Sequence, residues 1–138
     1  MSLRHKQIGE VSERTGLSLR TIRYYEEIGL VTPSARSQGG FRLYTESDIG
    51  RLELVKRMKP LEFSLEEMRE LLQALDGLDD LSLAADARQD LLAKLDMFRL
   101  AAEERCASLR TQLATAEEFA VGLRGEIRHR RREASRSR

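Results

Sequence analysis

Apolar residues in the first half of the chain recur at short helical spacings that are often interrupted. Ile8 and Val11 predict a short helix over residues 7–15, and a Gly-Leu turn follows at residues 16–17. Ser18 is a suitable N-cap for a second short helix over residues 19–28, which Gly29 ends. Two short helices joined by a glycine turn predict a helix-turn-helix.

The pattern then changes to short extended segments and back to helices. Residues 30–33 and 41–44, around a turn at residues 38–40, predict a two-stranded wing in which Arg42 and Tyr44 share one face. Capping boxes at Thr45 and Ser64 open two further helices, which end near residues 59 and 77. The sequence therefore predicts one winged helix-turn-helix domain over residues 1–76.

A long stretch without Gly or Pro, residues 78–121, predicts a long helix that mediates self-association. Over residues 83–127, apolar residues follow one another at spacings of three or four with one stutter, as in a coiled coil. The predicted dimer seam comprises Leu91, Leu95, Phe98, Ala102, Cys106, Leu109 and Leu113, and the spacing continues through Ala116, Ala120, Leu123 and Ile127. We expect an antiparallel coiled coil between two copies; the alternative is a helix folded back near Gly122 or Gly125.

Charge divides the chain in the same way, although the net charge of its 138 residues is only +1. Residues 1–60 carry +4, residues 61–127 carry −8 and residues 128–138 carry +5. A basic head can attract a polyanion, whereas an acidic stretch is a poor nucleic-acid surface. The basic end lacks apolar periodicity and is predicted to be a disordered tail that adds non-specific attraction to phosphates.

Composition excludes several other classes of protein. A single cysteine excludes an internal disulfide framework and any Cys-rich zinc or iron–sulfur site, so no metal site is expected. No apolar stretch is long enough to span a membrane and none resembles a leader, so we expect a cytoplasmic protein. Paired acid–base groups, nucleophile–base pairs and phosphate loops do not occur, so neither an enzyme nor a cofactor is expected.

Several short motifs, in order, resemble a known family. They are IGEV at residues 8–11, TGLS at 15–18, TIRYYE at 21–26, GLV at 29–31 and GFRLY at 40–44. Together they closely resemble the N-terminal signature of MerR-family transcriptional regulators. The resemblance implies a mainly helical fold, with a winged helix-turn-helix head followed by a long antiparallel dimerisation helix.

The resemblance also implies DNA contacts by Arg23, Tyr24 and the wing residue Arg42. The second helix of the helix-turn-helix, which would be the recognition helix, also carries Arg20 and Thr21 toward its exposed side. Tyr44 follows Arg42 on the same strand. We expect Arg20, Thr21 and Tyr44 to contact DNA as well. The family implies a homodimer on an inverted repeat in promoter double-stranded DNA. The resemblance further implies that the dimer distorts the promoter so that RNA polymerase engages it; the effector stays unassigned. The alternative is a DNA-architectural protein with the same head.

Two single residues carry separate hypotheses. Cys106 is a small apolar seam residue, but it also lies near the midpoint of residues 83–127, where two copies could meet in a redox-sensitive pair. Glu62 stands in a loop where the family commonly has glycine. If that backbone is left-handed, Glu62 costs about 1 kcal/mol.

Overall fold

The computed structural model describes residues 5–137, which form five α-helices and three short strands. Their order is β1 (Lys6–Gln7), α1 (Ile8–Thr15), α2 (Leu19–Glu27), β2 (Ala35–Arg36), β3 (Arg42–Tyr44), α3 (Glu46–Met58), α4 (Leu65–Leu78) and α5 (Ala85–Arg136). A 3₁₀ turn at Lys59–Leu61 lies between α3 and α4. The chain divides into two units, Met1–Phe98 and Arg99–Arg138.

The helix-turn-helix forms as the sequence predicts. Gly16 ends α1 in the left-handed region at φ 75°, and the backbone N–H of Gly16 donates to the carbonyl of Ser12. The Ser18 hydroxyl accepts from the N–H of Thr21 and so caps the start of α2. The turn and the cap therefore fix where the second helix begins.

The sheet has three strands where the sequence predicts two. Strand β3 lies at its centre, and both β1 and β2 pair with it in antiparallel register. Strand β1 has only two residues, which is too short to show alternation. The predicted strand at residues 30–33 is not formed, because Pro33 has no N–H for a ladder and Leu30 and Val31 are buried in the core instead.

The core of the first unit joins α1, α2, α3, α4 and the sheet. Its buried apolar side chains are Val11, Ile22, Tyr25, Leu30, Val31, Tyr44, Ile49, Leu52, Val55, Met58, Phe63, Met68, Leu72 and Ala74. Four of them, Ile49, Leu52, Val55 and Met58, lie along one face of α3. Both capping boxes are present, at Thr45–Asp48 and at Ser64–Glu67.

The first capping box has Asp48 at the position where Glu or Gln is more usual, and this shorter carboxylate also binds a neighbouring segment. Its Oδ2 accepts from the N–H of Thr45 at 2.9 Å, and also from the N–H and hydroxyl of Ser34 at 3.1 and 2.6 Å. One buried carboxylate thus starts α3 and holds the segment that leads into β2.

Glu62 has a left-handed backbone conformation, as we hypothesised for this loop. Its φ is 63° and its ψ 28°, and it is the one non-glycine residue with positive φ in the described chain. The backbone after the 3₁₀ turn therefore adopts a conformation that glycine would adopt at lower cost.

Two predicted seam residues have partners within their own chain. A Cβ placed on Gly77 would lie 2.7 Å from Cδ1 of Leu91, and the rings of Phe63 and Phe98 are 5.9 Å apart. Gly77 does not end α4, which continues to Leu78; it leaves space for Leu91. The start of the seam therefore serves the first unit as well.

In the second unit, α5 continues as a helix through residues 128–136, which corrects the predicted disordered tail. Arg130 pairs with Glu126 at 2.6 Å and His129 with Glu133 at 3.4 Å, each at helical i,i+4 spacing. The helix also passes through Gly122 and Gly125, so the folded-back alternative is wrong. No described helix is long and apolar enough to cross a membrane.

Candidate nucleic-acid interface

Helix α2 turns one face to the core and the other to solvent. Ile22 and Tyr25 are buried, whereas Arg20 and Arg23 are exposed and Tyr24 is 45% exposed. The ring of Tyr24 lies 6.0 Å from the buried ring of Tyr25. Within residues 5–137, neither Arg20 nor Arg23 has a hydrogen-bond or ion-pair partner, so both guanidinium groups are free to bind a ligand.

Thr21 lies half-buried at the first turn of α2. Its hydroxyl oxygen accepts a hydrogen bond from the Ser18 hydroxyl at 2.9 Å, while its N–H donates to the same Ser18 oxygen at 3.0 Å. The Thr21 hydroxyl therefore keeps its own proton for donation. The hydrogen bonds to Ser18 fix the position of the Thr21 side chain.

A carboxylate links the recognition helix to the hairpin of β2 and β3. Oε2 of Glu26, near the end of α2, accepts from Arg36 at 2.7 Å, and its Oε1 accepts from Nε of Arg42. The guanidinium of Arg36 also donates to the carbonyl of Gly40 at 3.1 Å. Because Arg36 and Arg42 are register partners across the sheet, one carboxylate orients both arginines.

The environment of Arg42 leaves it able to reach a phosphate. Its side chain is 29% exposed, and its hydrogen bond to Glu26 raises the pKa of its guanidinium above the ordinary value. Glu26 engages Nε, so the two terminal nitrogens have no hydrogen-bond partner among the residues that the structure describes. A cation held this way is pre-organised for a second anionic partner.

Arg36 is a site residue that sequence reasoning missed. It stands outside every motif, and it enters the site because the hairpin pairs it with Arg42. Counting back from Arg42 across the turn at residues 38–40 would have found it, given the correct strand.

The prediction that Tyr44 contacts DNA is wrong. It is fully buried, and burial raises the pKa of its phenol. It does share a face of β3 with Arg42, but Tyr44 is enclosed in the core, whereas the Arg42 side chain is partly exposed. Its hydroxyl is the one buried side-chain polar atom without a hydrogen-bond partner in the described residues.

Other basic side chains of the head hold the scaffold. Lys56 donates to the carbonyl of Thr15 and Arg69 to the carbonyl of Ile28, each at 2.5 Å. These cations bind the last carbonyls of α1 and α2, which carry the negative end of each helix. They position the helix-turn-helix and are not available to a ligand.

The arrangement matches the chemistry of double-stranded DNA. An exposed helix can enter the major groove, where arginine binds guanine O6 and N7 or a phosphate, and threonine can reach a base edge. Arginines beside the groove bind phosphates and position the helix. Among residues 5–137, no group of three or more His, Cys, Asp or Glu side chains could hold a metal ion.

Comparison with known proteins decides the family. The model of the MerR HTH family regulatory proteins matches residues 7–75, which is half of the chain. The chain belongs to the MerR family. This confirms both the resemblance and the fold class.

Individual MerR-family relatives agree. The chain is 36% identical over 115 residues to the HTH-type transcriptional regulator CueR of Salmonella typhi, covering 83% of this chain and 81% of that one. It is 46% identical over 88 residues to the HTH-type transcriptional regulator HmrR of Rhizobium leguminosarum bv. viciae, covering 64% and 66%. A solved MerR-family regulator from Listeria monocytogenes aligns with a TM-score of 0.65 at 25% identity, covering 81% and 80%.

Proposed function

We propose that this MerR-family chain is a cytoplasmic transcriptional regulator, and not an enzyme, that binds an inverted repeat in promoter DNA as a homodimer. The observation that carries the proposal is the exposed cationic face of the head. Arg20 and Arg23 on α2 are unpaired in the described structure, and Arg42 keeps its terminal nitrogens unpaired beside them in the same unit.

The face supports two kinds of contact. Exposed side chains of α2 suit the floor of the major groove, where they read base edges. Arg36 and Arg42 on the hairpin suit the phosphates at its side, because Glu26 sets their direction and leaves part of each guanidinium exposed. The proposal therefore places Arg20, Thr21, Arg23 and Tyr24 in the groove, with Arg36 and Arg42 on the backbone.

The long helix supports a dimer. None of the described residues of α5 is buried, and its apolar side chains Leu109, Leu113, Leu123 and Ile127 are each at least 45% exposed. An apolar stripe of this length is stabilised by a second copy. Antiparallel pairing has two-fold symmetry, which matches the symmetry of an inverted repeat.

Binding by two heads at the ends of one dimer would bend or untwist the DNA between them. Such distortion costs free energy that the phosphate contacts offset. A distorted promoter changes how RNA polymerase engages it, which makes the polymerase an indirect partner. The named relatives are transcriptional regulators, and this favours regulation over an architectural role.

Alanine substitution tests the proposed face. We expect Arg23→Ala and Arg42→Ala each to weaken binding to the operator by about 1–3 kcal/mol at moderate salt, measured by fluorescence anisotropy. Arg110→Ala removes the same charge from an exposed position of α5 and serves as the matched control. Unchanged affinity for both head variants would contradict the proposed interface.

A further inference from the structure

The predicted seam is symmetric about Ala102. On either side of this residue the apolar positions follow at intervals of four, three and four residues. An antiparallel pair centred there would place opposite one another Leu91 and Leu113, Leu95 and Leu109, and Phe98 and Cys106. The small Ala102 side chain would meet its own copy on the two-fold axis, where close approach is needed.

This centre determines what lies beyond the paired region. Ala85 is the first residue of α5, and in this register it faces Phe119 of the other copy. Residues after Phe119 therefore extend past the start of the partner's α5. The neighbouring part of the partner there is the segment between α4 and α5.

The end of α5 carries a basic stripe, which we define as Arg124, Arg128, Arg131 and Arg132. These four side chains share one face of the helix with Ile127. Arg131 follows Ile127 by four residues, and the other three arginines lie to one side of the apolar seam, so the stripe flanks the seam. None of the four arginines has an ion-pair partner in the described structure, whereas Arg130 pairs with Glu126.

The segment before α5 is an acidic turn, which we define as residues 79–86 with Asp79, Asp80 and Asp86. Asp79 is the C-cap of α4, and the last turn of that helix holds no basic residue. A carboxylate at the negative end of a helix is locally unfavourable, so local stability does not explain Asp79. Leu81 within the turn is 95% exposed.

We propose that the basic stripe of each copy docks on the acidic turn of its partner and closes both ends of the coiled coil. The inference rests on the antiparallel dimer of the proposed function. Opposite charges meet at each end, and the exposed Leu123 and Ile127 cover Leu81. The antiparallel register favours the partner chain over nucleic acid as the occupant, because it places Leu123 and Arg124 opposite Leu81 and Asp80 of the other copy.

The same register revises the hypothesis for Cys106. The two copies of this residue lie eight residues apart along the paired helices, which is about 12 Å at the rise of an α-helix. A disulfide needs Cα atoms within about 7 Å. Cys106 therefore packs against Phe98 of the partner and does not bond to its own copy.

Two complementary full-length variants test the docking. One carries Arg124→Glu and Arg128→Glu, and the other carries Asp79→Arg and Asp86→Arg. Each homodimer then brings like charges together at its ends, while the heterodimer pairs opposite charges at both. The two variants are mixed in equal amounts at low salt and left to exchange subunits, and native mass spectrometry then measures the three dimers. Heterodimer should exceed its statistical half, and the squared heterodimer concentration divided by the product of the two homodimer concentrations should be on the order of tenfold above its statistical value.

The outcomes separate this inference from the proposed function. A wild-type chain that sediments as a monomer would overturn both. A wild-type dimer with a statistical mixture of variants would overturn the docking alone, and weaker DNA binding by the Arg124→Glu, Arg128→Glu chain would then assign the stripe to nucleic acid.

Discussion

The two units of this protein use the same apolar spacing with different results. In α3, Ile49, Leu52 and Val55 recur every third residue and are buried against neighbouring elements of the head. In α5, Leu109 and Leu113 follow a similar spacing and are 45% and 59% exposed. A helical stripe therefore indicates that a helix needs a partner, but it does not say whether the partner belongs to the same chain.

The apolar stripes of α3 and α4 are buried within one chain, so the stability of the head is a property of one chain. The second unit has only α5, and a second copy must supply the surface that the head supplies to α3. Stability of the head and assembly of the dimer should therefore respond to different substitutions.

Matched leucine truncations give the largest expected effect. Leu52→Ala should lower the free energy of unfolding by about 2–5 kcal/mol in urea denaturation, because it leaves a cavity in a closed core. Leu113→Ala should leave the folded head intact and weaken the dimer, measured by sedimentation over a range of protein concentrations. If both changes weakened the dimer equally, head stability and dimer assembly would not respond to different substitutions, and the account would be contradicted.

A glycine at position 62 should stabilise the head. Glu62→Gly relieves the left-handed backbone at φ 63° and should raise the free energy of unfolding by up to about 1 kcal/mol. Glu66→Gly, in the first turn of α4, is the control and should lower it. A loss of stability in the Glu62 variant would mean that its side chain contributes more than its backbone costs.

Tyr44→Phe tests whether the buried tyrosine belongs to the core or to the DNA face. Removing a hydroxyl that lacks a partner should leave stability unchanged or raise it by less than about 1 kcal/mol, with DNA affinity unaltered. Tyr24→Phe makes the same change on the exposed face and should weaken DNA binding. Weaker binding by the Tyr44 variant alone would reverse the assignment.

The smallest effect concerns pH. Arg14 donates two hydrogen bonds to Glu46, and this lowers the pKa of Glu46 below its ordinary 4.5. The pair therefore contributes its stability above pH 4.5 and loses it as the pH falls through the lowered pKa. Thermal unfolding of Glu46→Gln should differ slightly from wild type at neutral pH and converge with it in acid; a constant difference would contradict the pairing.

Features that depend on neighbouring residues could be predicted from the sequence. The Ser18 cap, the glycine at position 16 and both capping boxes act within a few residues, and the exposed side of α2 follows from its own apolar face. Tyr44 could not be assigned in this way, because its burial depends on how β3 packs against the helices. Arg36 needed the register across the hairpin, and Glu26 needed the contact between α2 and that hairpin.

The C-terminal helix shows a different limit. The many arginines after residue 127 lack apolar periodicity, so the pattern predicts disorder there. Helical ion pairs such as Arg130 with Glu126 and the absence of a breaker let α5 continue. An apolar pattern predicts helices that are buried on one side, whereas residues 128–136 are helical and exposed.

Selection of bound fragments from genomic DNA, followed by footprinting, tests the central claim most directly. A dimer with two helix-turn-helix heads should protect an inverted repeat at a promoter, with half-sites in successive major grooves and loss of protection in Arg23→Ala. Many dispersed weak sites without two-fold symmetry would contradict the claim and favour an architectural role.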